Sequence, residues 1–290
     1  MRIAALDIGG TAIKYGLWDG ASITGAGEIP SQVSTAQQLI ALIEQAVCTL
    51  QPVDAIGIST RGQVNGCGEI LFDNGPVADY TGTPLKAILQ ERFGVPVAVE
   101  NDVNAAAWGE ACLGAGKDAE DFLCLTYGTG IGGAIILNSK LYRGSNWSAG
   151  EFGSMQLFSQ KPANAGAEGA YYESFASASA LVAAVNAVLP EITSGRQICD
   201  NLEHPLLAPI VDQWIRNVSY GLSSLIHIFN PNLIVLGGGI LQNDTLFQRI
   251  VLCTRSLLMP GFECVKLAQA RLGNQAGMIG AAMLAQEMLL

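Results

Sequence analysis

Arg2-Ile3-Ala4-Ala5-Leu6-Asp7-Ile8-Gly9-Gly10-Thr11 is a short apolar run halted by an acid, two glycines and a threonine. Ala12–Trp18 resumes with strand character, and Asp19-Gly20 then supplies a hairpin-type turn. The pattern returns 120 residues later, from Asp7 to Tyr127. Phe122–Thr126 reads as a strand, Tyr127-Gly128-Thr129-Gly130-Ile131-Gly132-Gly133 as a glycine-rich turn, and Ala134–Leu137 as a second strand. Two strand–turn–strand blocks of one design predict two similar lobes with a ligand held between them, a common setting for small-molecule sites.

Around these blocks strands and helices alternate. Thr35–Leu50 carries Leu39, Ile40, Ile43 and Val47 at helical spacing. Ala55–Ser59 reads as a buried strand and Pro84–Phe93 as a helix with proline in its first turn. Val97–Val99 is a strand running into Glu100-Asn101-Asp102, followed by an alanine-rich helix over Val103–Leu113. Farther on, helices are expected over Glu173–Leu189, Leu206–Phe229, Asp244–Leu258 and Ala276–Leu290, with a strand at Leu233–Leu236 ending in Gly237-Gly238-Gly239. Such alternation predicts an α/β fold with layered sheets.

Composition narrows the partners. The 290 residues suit roughly two domains, and 50% hydrophobic against 14% charged residues gives ample apolar surface for a core, excluding a disordered chain. A formal charge of −10 leaves no basic surplus to neutralise nucleic acid or an anionic membrane, although a few backbone N–H groups still suffice for one phosphorylated ligand. The apolar C-terminal stretch Ala276–Leu290 is too short to span a bilayer and carries Gln286 and Glu287. No signal-peptide pattern opens the chain, and seven scattered cysteines without a CxxC pair read as reduced thiols, so a cytoplasmic location is expected. With only His204 and His227 present, a His/Cys zinc site is not expected.

Several motifs carry chemistry. In Asp7-Ile8-Gly9-Gly10-Thr11, with Lys14 close behind, glycines allow an anion near the backbone, the Thr11 hydroxyl can donate to phosphate, and Asp7 suits water-mediated Mg²⁺. An ordinary hairpin with a solvated acid explains that motif equally well, and the GxxxxGK[ST] spacing is absent. Four glycines within Gly128–Gly133 are costly in a plain turn, and close approach of a ligand explains them economically. A dinucleotide fingerprint is excluded because strand-like residues follow GTGIGG where a helix is needed. Asp102 is either a helix N-cap or a general base for a hydroxyl, with Asn101 and Asn104 orienting the acceptor. Two phosphate-type turns plus a carboxylate at a strand end are the parts that phosphoryl transfer needs. Glu151, in Gly150-Glu151-Phe152-Gly153, and Glu173 can accept hydrogen bonds from vicinal sugar hydroxyls, or be a solvated turn and a helix-start acid. Gly237-Gly238-Gly239 is either a strand-to-helix junction or a flat floor for an adenine ring.

These blocks, in this order and over essentially the whole chain, resemble the ROK family of bacterial sugar kinases in the actin-like ATPase superfamily. The resemblance implies two actin-like, ribonuclease H-like lobes with a ligand cleft between them, divided as 1–119 plus 276–290 and 120–275. It implies ATP with Mg²⁺, Asp102 as base, and sugar contacts from Gly62, Asn74, Asn101, Glu151 and Glu173. Nucleotide contacts would come from Asp7, Gly9, Gly10, Thr11, Lys14, Thr126, Gly128, Thr129, Gly130, Gly237, Gly238 and Gly239, with Asp7 near the metal. Two departures stand out. Ser59-Thr60-Arg61-Gly62-Gln63-Val64-Asn65 has Arg61 where the family usually has proline. Many members follow GE[IF]G with a histidine and a cysteine cluster for zinc, whereas here Ser154 replaces the histidine and Phe158–Tyr172 holds no cysteine. A zinc-free member is therefore expected, similar to β-glucoside or N-acetylmannosamine kinases, with a pocket that takes a bulkier substituent than glucokinase. The family also contains sugar-sensing repressors with an added helix-turn-helix module; the first strand begins at residue 3 and the charge is acidic, which disfavours that reading. A non-catalytic sugar-binding module is disfavoured by the retained Asp102. Dimers are common in similar proteins, so a homodimer is expected. The sequence leaves open which sugar and which hydroxyl react, the 6-hydroxyl being the expectation.

Overall fold

In the computed structural model, which describes residues 1–157 and 170–290, the run at the N-terminus becomes a central strand. Ile3–Ile8 pairs antiparallel with Ala12–Trp18 and parallel with Ala55–Thr60. The full sheet runs Ile23–Pro30, Ala12–Trp18, Ile3–Ile8, Ala55–Thr60, Val97–Asn101. A strand buried on both faces reads as an unbroken apolar run rather than an alternating one, which is why residues 3–8 look uniformly hydrophobic apart from Asp7. Residue parity nevertheless sorts their neighbours. Ala4, Leu6 and Ile8 share a core with Leu39, Ile43 and Val47 of the helix Ala36–Leu50. Ile3 and Ala5 point the other way and pack with Met278, Ala282 and Ala285 of the helix Ala276–Glu287. Asp7, of the same parity as Ile3 and Ala5, is delivered to the face covered by that C-terminal helix.

The C-terminal helix lies on the sheet and on the helix Asp102–Leu113 with almost no side-chain padding. A Cβ at Gly57 would overlap the Ala281 carbonyl, and one at Gly280 would overlap the Ala105 carbonyl. These are backbone-on-backbone approaches that only glycine permits.

The chain divides into two compact units, 1–118 with 140–149 and 274–290, and 119–139 with 150–273. In the second unit Phe122–Tyr127 pairs antiparallel with Ile131–Leu137 and parallel with Leu233–Gly237, which in turn pairs parallel with Lys266–Gln269. Each unit thus extends an antiparallel hairpin by parallel strands, the α/β pattern expected from the repeat. The glycine-rich turn is shorter than expected, however. Only Gly128–Gly130 turn, while Ile131–Gly133 already lie in the strand. The helix expected over Glu173–Leu189 is two helices, Tyr172–Ala176 and Ala178–Asn186. Ser177 between them is extended and caps the second through Ala180 N–H. Buried Tyr172 fixes the first piece, its hydroxyl donating to the Val218 carbonyl at 2.7 Å and bonding the Tyr127 hydroxyl at 2.8 Å. Strands at Ile23–Pro30 and Lys266–Gln269 carry too little apolar patterning to have been read from sequence. Among the described residues no helix is long and apolar enough to cross a membrane.

Gly280→Ala places a methyl group against an opposing backbone carbonyl with no side chain to yield. We expect a loss of about 2–3 kcal/mol, read as a Tm lowered by roughly 5–10 °C; an unchanged Tm would contradict this packing.

Candidate active site

Strand geometry gives Asp7 its neighbours. Ser59, its partner on the parallel strand, donates to Asp7 Oδ1 at 2.7 Å. Lys14 is its partner on the antiparallel strand. The C-terminal helix begins beside it, since a Cβ on Gly277 would lie 2.8 Å from Asp7 Oδ1 and 2.9 Å from Ser59 Oγ. Burial raises the Asp7 carboxyl above its ordinary range, against the pull of Ser59 and Lys14. The partial positive charge of a helix N-terminus favours the ionised form at that spot. Gly9, Gly10 and Thr11 form an exposed hairpin tip, closed by Gly9 N–H to the Ala12 carbonyl at 3.0 Å.

At the end of Val97–Asn101 the backbone turns into the helix Asp102–Leu113. Of the two roles open to Asp102, the N-cap belongs instead to Asn101, whose Oδ1 accepts from the N–H groups of Val103 and Asn104 at 3.0 and 3.1 Å. The reason is conformational: Asn101 keeps a non-helical backbone (φ −56°, ψ 145°), as a cap requires, whereas Asp102 is already inside the first turn. The Asn101 Nδ2 amide donates to the Gly62 carbonyl at 2.9 Å and to Asp102 Oδ1 at 3.0 Å. That oxygen also accepts from Val103 N–H at 2.9 Å. Asp102 is pushed up to about 6, chiefly by burial and further by the negative charge of Asp7, with the Val103 and Asn101 hydrogen bonds pulling the other way. A carboxyl titrating there is ionised near neutrality yet basic enough to accept a proton.

Asn104 does not reach Asp102. It is buried and donates to Glu100 Oε1 at 3.1 Å. Glu100, only 4% exposed, also accepts Asn101 N–H at 3.0 Å. Its Oε2 takes Arg143 Nε at 2.7 Å and Nη2 at 2.6 Å. Every oxygen of this buried acid is therefore satisfied, which lets it brace Asn101 from behind. Arg143 had no sequence signal; only the fold brings it to Glu100. On the neighbouring loops Arg61 pairs with Asp73 at 3.3 Å, and the two flank Gly62 and exposed Asn74.

In the second unit Glu173 sits at the glycine-rich turn. Its Oε2 accepts Ile131 N–H at 3.1 Å and would lie 2.9 Å from a Cβ on Gly153. Gly130 also has its α-carbon against this carboxylate, and Gly133 makes room for Phe152 and the Gly150 carbonyl. Two of the four glycines are thus explained by the protein's own groups rather than by a ligand. Gly128 differs: it is exposed, a Cβ there would meet nothing within 4 Å, and it opens onto a cavity of about 530 Å³. Ser179, Val182, Ala183 and Asn186, on one face of Ala178–Asn186, line it together with Ser194 and Gly195. The residue pattern does not show that face, because the break at Ser177 that sets its direction carries no proline or glycine. Gly237 ends its strand beside Thr126, and Gly238 (φ 114°) seats on the Tyr127 carbonyl at the root of the turn. Gly239 starts a 3-10 turn whose Ile240 lies 3.4 Å from a Cβ on Gly195. Thr129 and Glu151 are exposed.

No cluster of three or more His, Cys, Asp or Glu side chains is found among the described residues. Mg²⁺ needs no such cage, being held by one or two carboxylates with water and substrate phosphates. Asp7, buried and only partly compensated, and its neighbour Asp102 fit that demand. Of the zinc-cluster region Phe158–Tyr172, residues 158–169 lie outside the described residues.

The raised Asp102 pKa carries a stability signature. Its contribution to stability is full below the ordinary carboxylate value of 3.8 and is lost as pH rises through about 6, where burying the charge weighs against folding. Asp102→Asn is neutral throughout. It should melt a few degrees above wild type at pH 8, the gap closing near pH 4; an equal or lower Tm at pH 8 contradicts the burial.

The profile of the ROK family matches residues 3–288. The chain is 36% identical to a β-glucoside kinase from Listeria innocua, over 97% of this chain and 96% of that one. Among solved structures it matches a putative N-acetylmannosamine kinase from Listeria monocytogenes with TM-score 0.88, 32% identity and full coverage of both chains. It also matches a ROK glucokinase from Streptomyces griseus in complex with glucose and AMPPNP, with TM-score 0.84, 31% identity, and 99% and 100% coverage. With the profile spanning nearly every residue and the fold shared end to end, the chain belongs to the ROK family.

Proposed function

We propose that this protein is an ATP-dependent kinase of a hexose or hexose derivative, acting at the 6-hydroxyl. The observation that carries the reading is Asp102, a buried carboxyl pushed up to about 6 and clamped by Asn101 at the end of a strand. Asp102 accepts the proton of the sugar hydroxyl as that oxygen attacks the γ-phosphorus. The bond to the bridging oxygen of ADP breaks, and the proton leaves to water afterwards. Gly62, Asn74, Glu151 and Glu173 are the candidates for holding the sugar, Glu173 being anchored by Ile131 N–H. The cavity beside Gly128 is the candidate nucleoside pocket, with Gly128–Gly130, Thr126 and Gly237–Gly239 on the phosphate side. Gly9–Thr11 and Lys14 complete the phosphate contacts. Bound Mg²⁺ would neutralise phosphate charge next to Asp7. A β-glucoside is the favoured acceptor class, since Ser154 offers more room than the histidine usual in the family. A zinc-free homodimer in the cytoplasm, where ATP is supplied, completes the proposal.

An ADP-release assay with a sugar panel tests the reading. Asp102→Asn should lose about 10²–10⁴-fold in kcat while retaining sugar affinity; an active variant removes the base. Wild-type rate should fall on the acid side of about pH 6, as Asp102 takes up its proton. A flat profile down to pH 4.5 would contradict that. Glu100→Gln and Arg143→Met each loosen the brace behind Asn101 without touching substrate. We expect kcat to fall about ten-fold for the one or two charged hydrogen bonds weakened, with KM nearly constant and partial rescue in Arg143→Lys. Loss of KM alone, or no rescue, would argue against a positioning role.

A further inference from the structure

We propose that Trp147 is a stacking platform for the substituent of a glycoside acceptor, so that the preferred substrate carries a second ring beyond the phosphorylated hexose. The inference rests on the sugar-kinase reading above and deepens it.

Trp147 has φ 63°, a left-handed backbone that a bulky aromatic residue rarely adopts. Such strain persists where surrounding structure enforces it, and it clusters at ligand sites. The enforcement is visible. Ala149 N–H donates to the Arg143 carbonyl at 3.1 Å and closes the loop 143–149, while the Arg143 side chain ties that loop to Glu100. The indole is seated on Gly66, where any Cβ would overlap its six-membered ring. So the ring is held firmly by the loop that follows Gly62 and Gln63, yet the residue remains 39% exposed. The rigid indole is left open to solvent on a loop whose anchor, Arg143 on Glu100, braces Asn101 beside the base Asp102, and that loop leads directly into Gly150-Glu151 of the sugar block. Aromatic faces bind the apolar faces of sugar rings and aryl groups with little entropic loss. A free hexose has no second ring to use it.

The test compares kcat/KM for glucose, cellobiose and phenyl β-glucoside in wild type, Trp147→Gly and Trp147→Phe. In Trp147→Gly the ratio of either glycoside to glucose should fall about ten-fold, and Trp147→Phe should keep most of it. An unchanged ratio in Trp147→Gly overturns the proposal. Glycine suits the left-handed backbone, so folding should survive the change. A second readout does not depend on turnover. Of the four tryptophans, Trp18 and Trp214 are 2% and 3% exposed and Trp108 is half-buried, so Trp147, at 39%, is the one most open to acrylamide. Cellobiose should shield the fluorescence of the Asp102→Asn protein from quenching more than glucose does, and the difference should vanish when Trp147→Phe is added. Equal shielding by both sugars overturns the platform. Absence of any phosphorylation would instead fail the kinase reading, and the quenching comparison would still decide the role of Trp147.

Discussion

Two carboxylates share one poorly hydrated corner of the first unit, and most of what surrounds them exists to keep them there. Asp7 and Asp102 both lie above the ordinary carboxylate range through burial, and the Asp7 charge further raises the cost of ionising Asp102. Left alone, such a pair would hydrate by opening the fold or stay protonated. Ser59, Lys14 and the start of the C-terminal helix compensate one acid, while Val103 N–H and Asn101 compensate the other. The compensation is incomplete, and a corner short of positive charge suits a magnesium-bound phosphate.

The scaffold explains why the corner is rigid. Strand parity sends Asp7 toward the C-terminal helix, and glycines at 57, 277 and 280 let that helix settle directly on backbone. Through Gly280 the same helix buttresses Asp102–Leu113, whose first residue is the proposed base. Sequence positions near 7, 102 and 280 are therefore one mechanical object. Behind Asn101, the ion pair of Glu100 with Arg143 brings in a fourth stretch of chain.

Much of this was legible in the sequence, for definite reasons. The repeated strand–turn–strand blocks and the apolar run at 3–8 depend on local periodicity, and they located both hairpins and the α/β class. Asp7 and Asp102 stood out because an acid at the end of an apolar strand is conspicuous. Arg143, Gly277 and the face Ser179–Asn186 did not, because each acquires its meaning only from a partner distant in sequence. The cap at Asn101 rather than Asp102 is a one-residue shift in where the backbone first turns helical, finer than any residue pattern resolves. The glycines at 130 and 133 misled for a related reason: a need for space says nothing about who fills it, and here Glu173 and Phe152 do.

The direct measurement is a ¹³C NMR titration of the Asp102 carboxyl in wild type and in Asp7→Asn. A midpoint near 6 that moves part of the way toward 3.8 when the Asp7 charge is removed is what a buried acid raised further by its neighbour requires. A midpoint already near 3.8 in wild type would mean that Asp102 is hydrated and isolated, and the proposed base would lose its physical foundation.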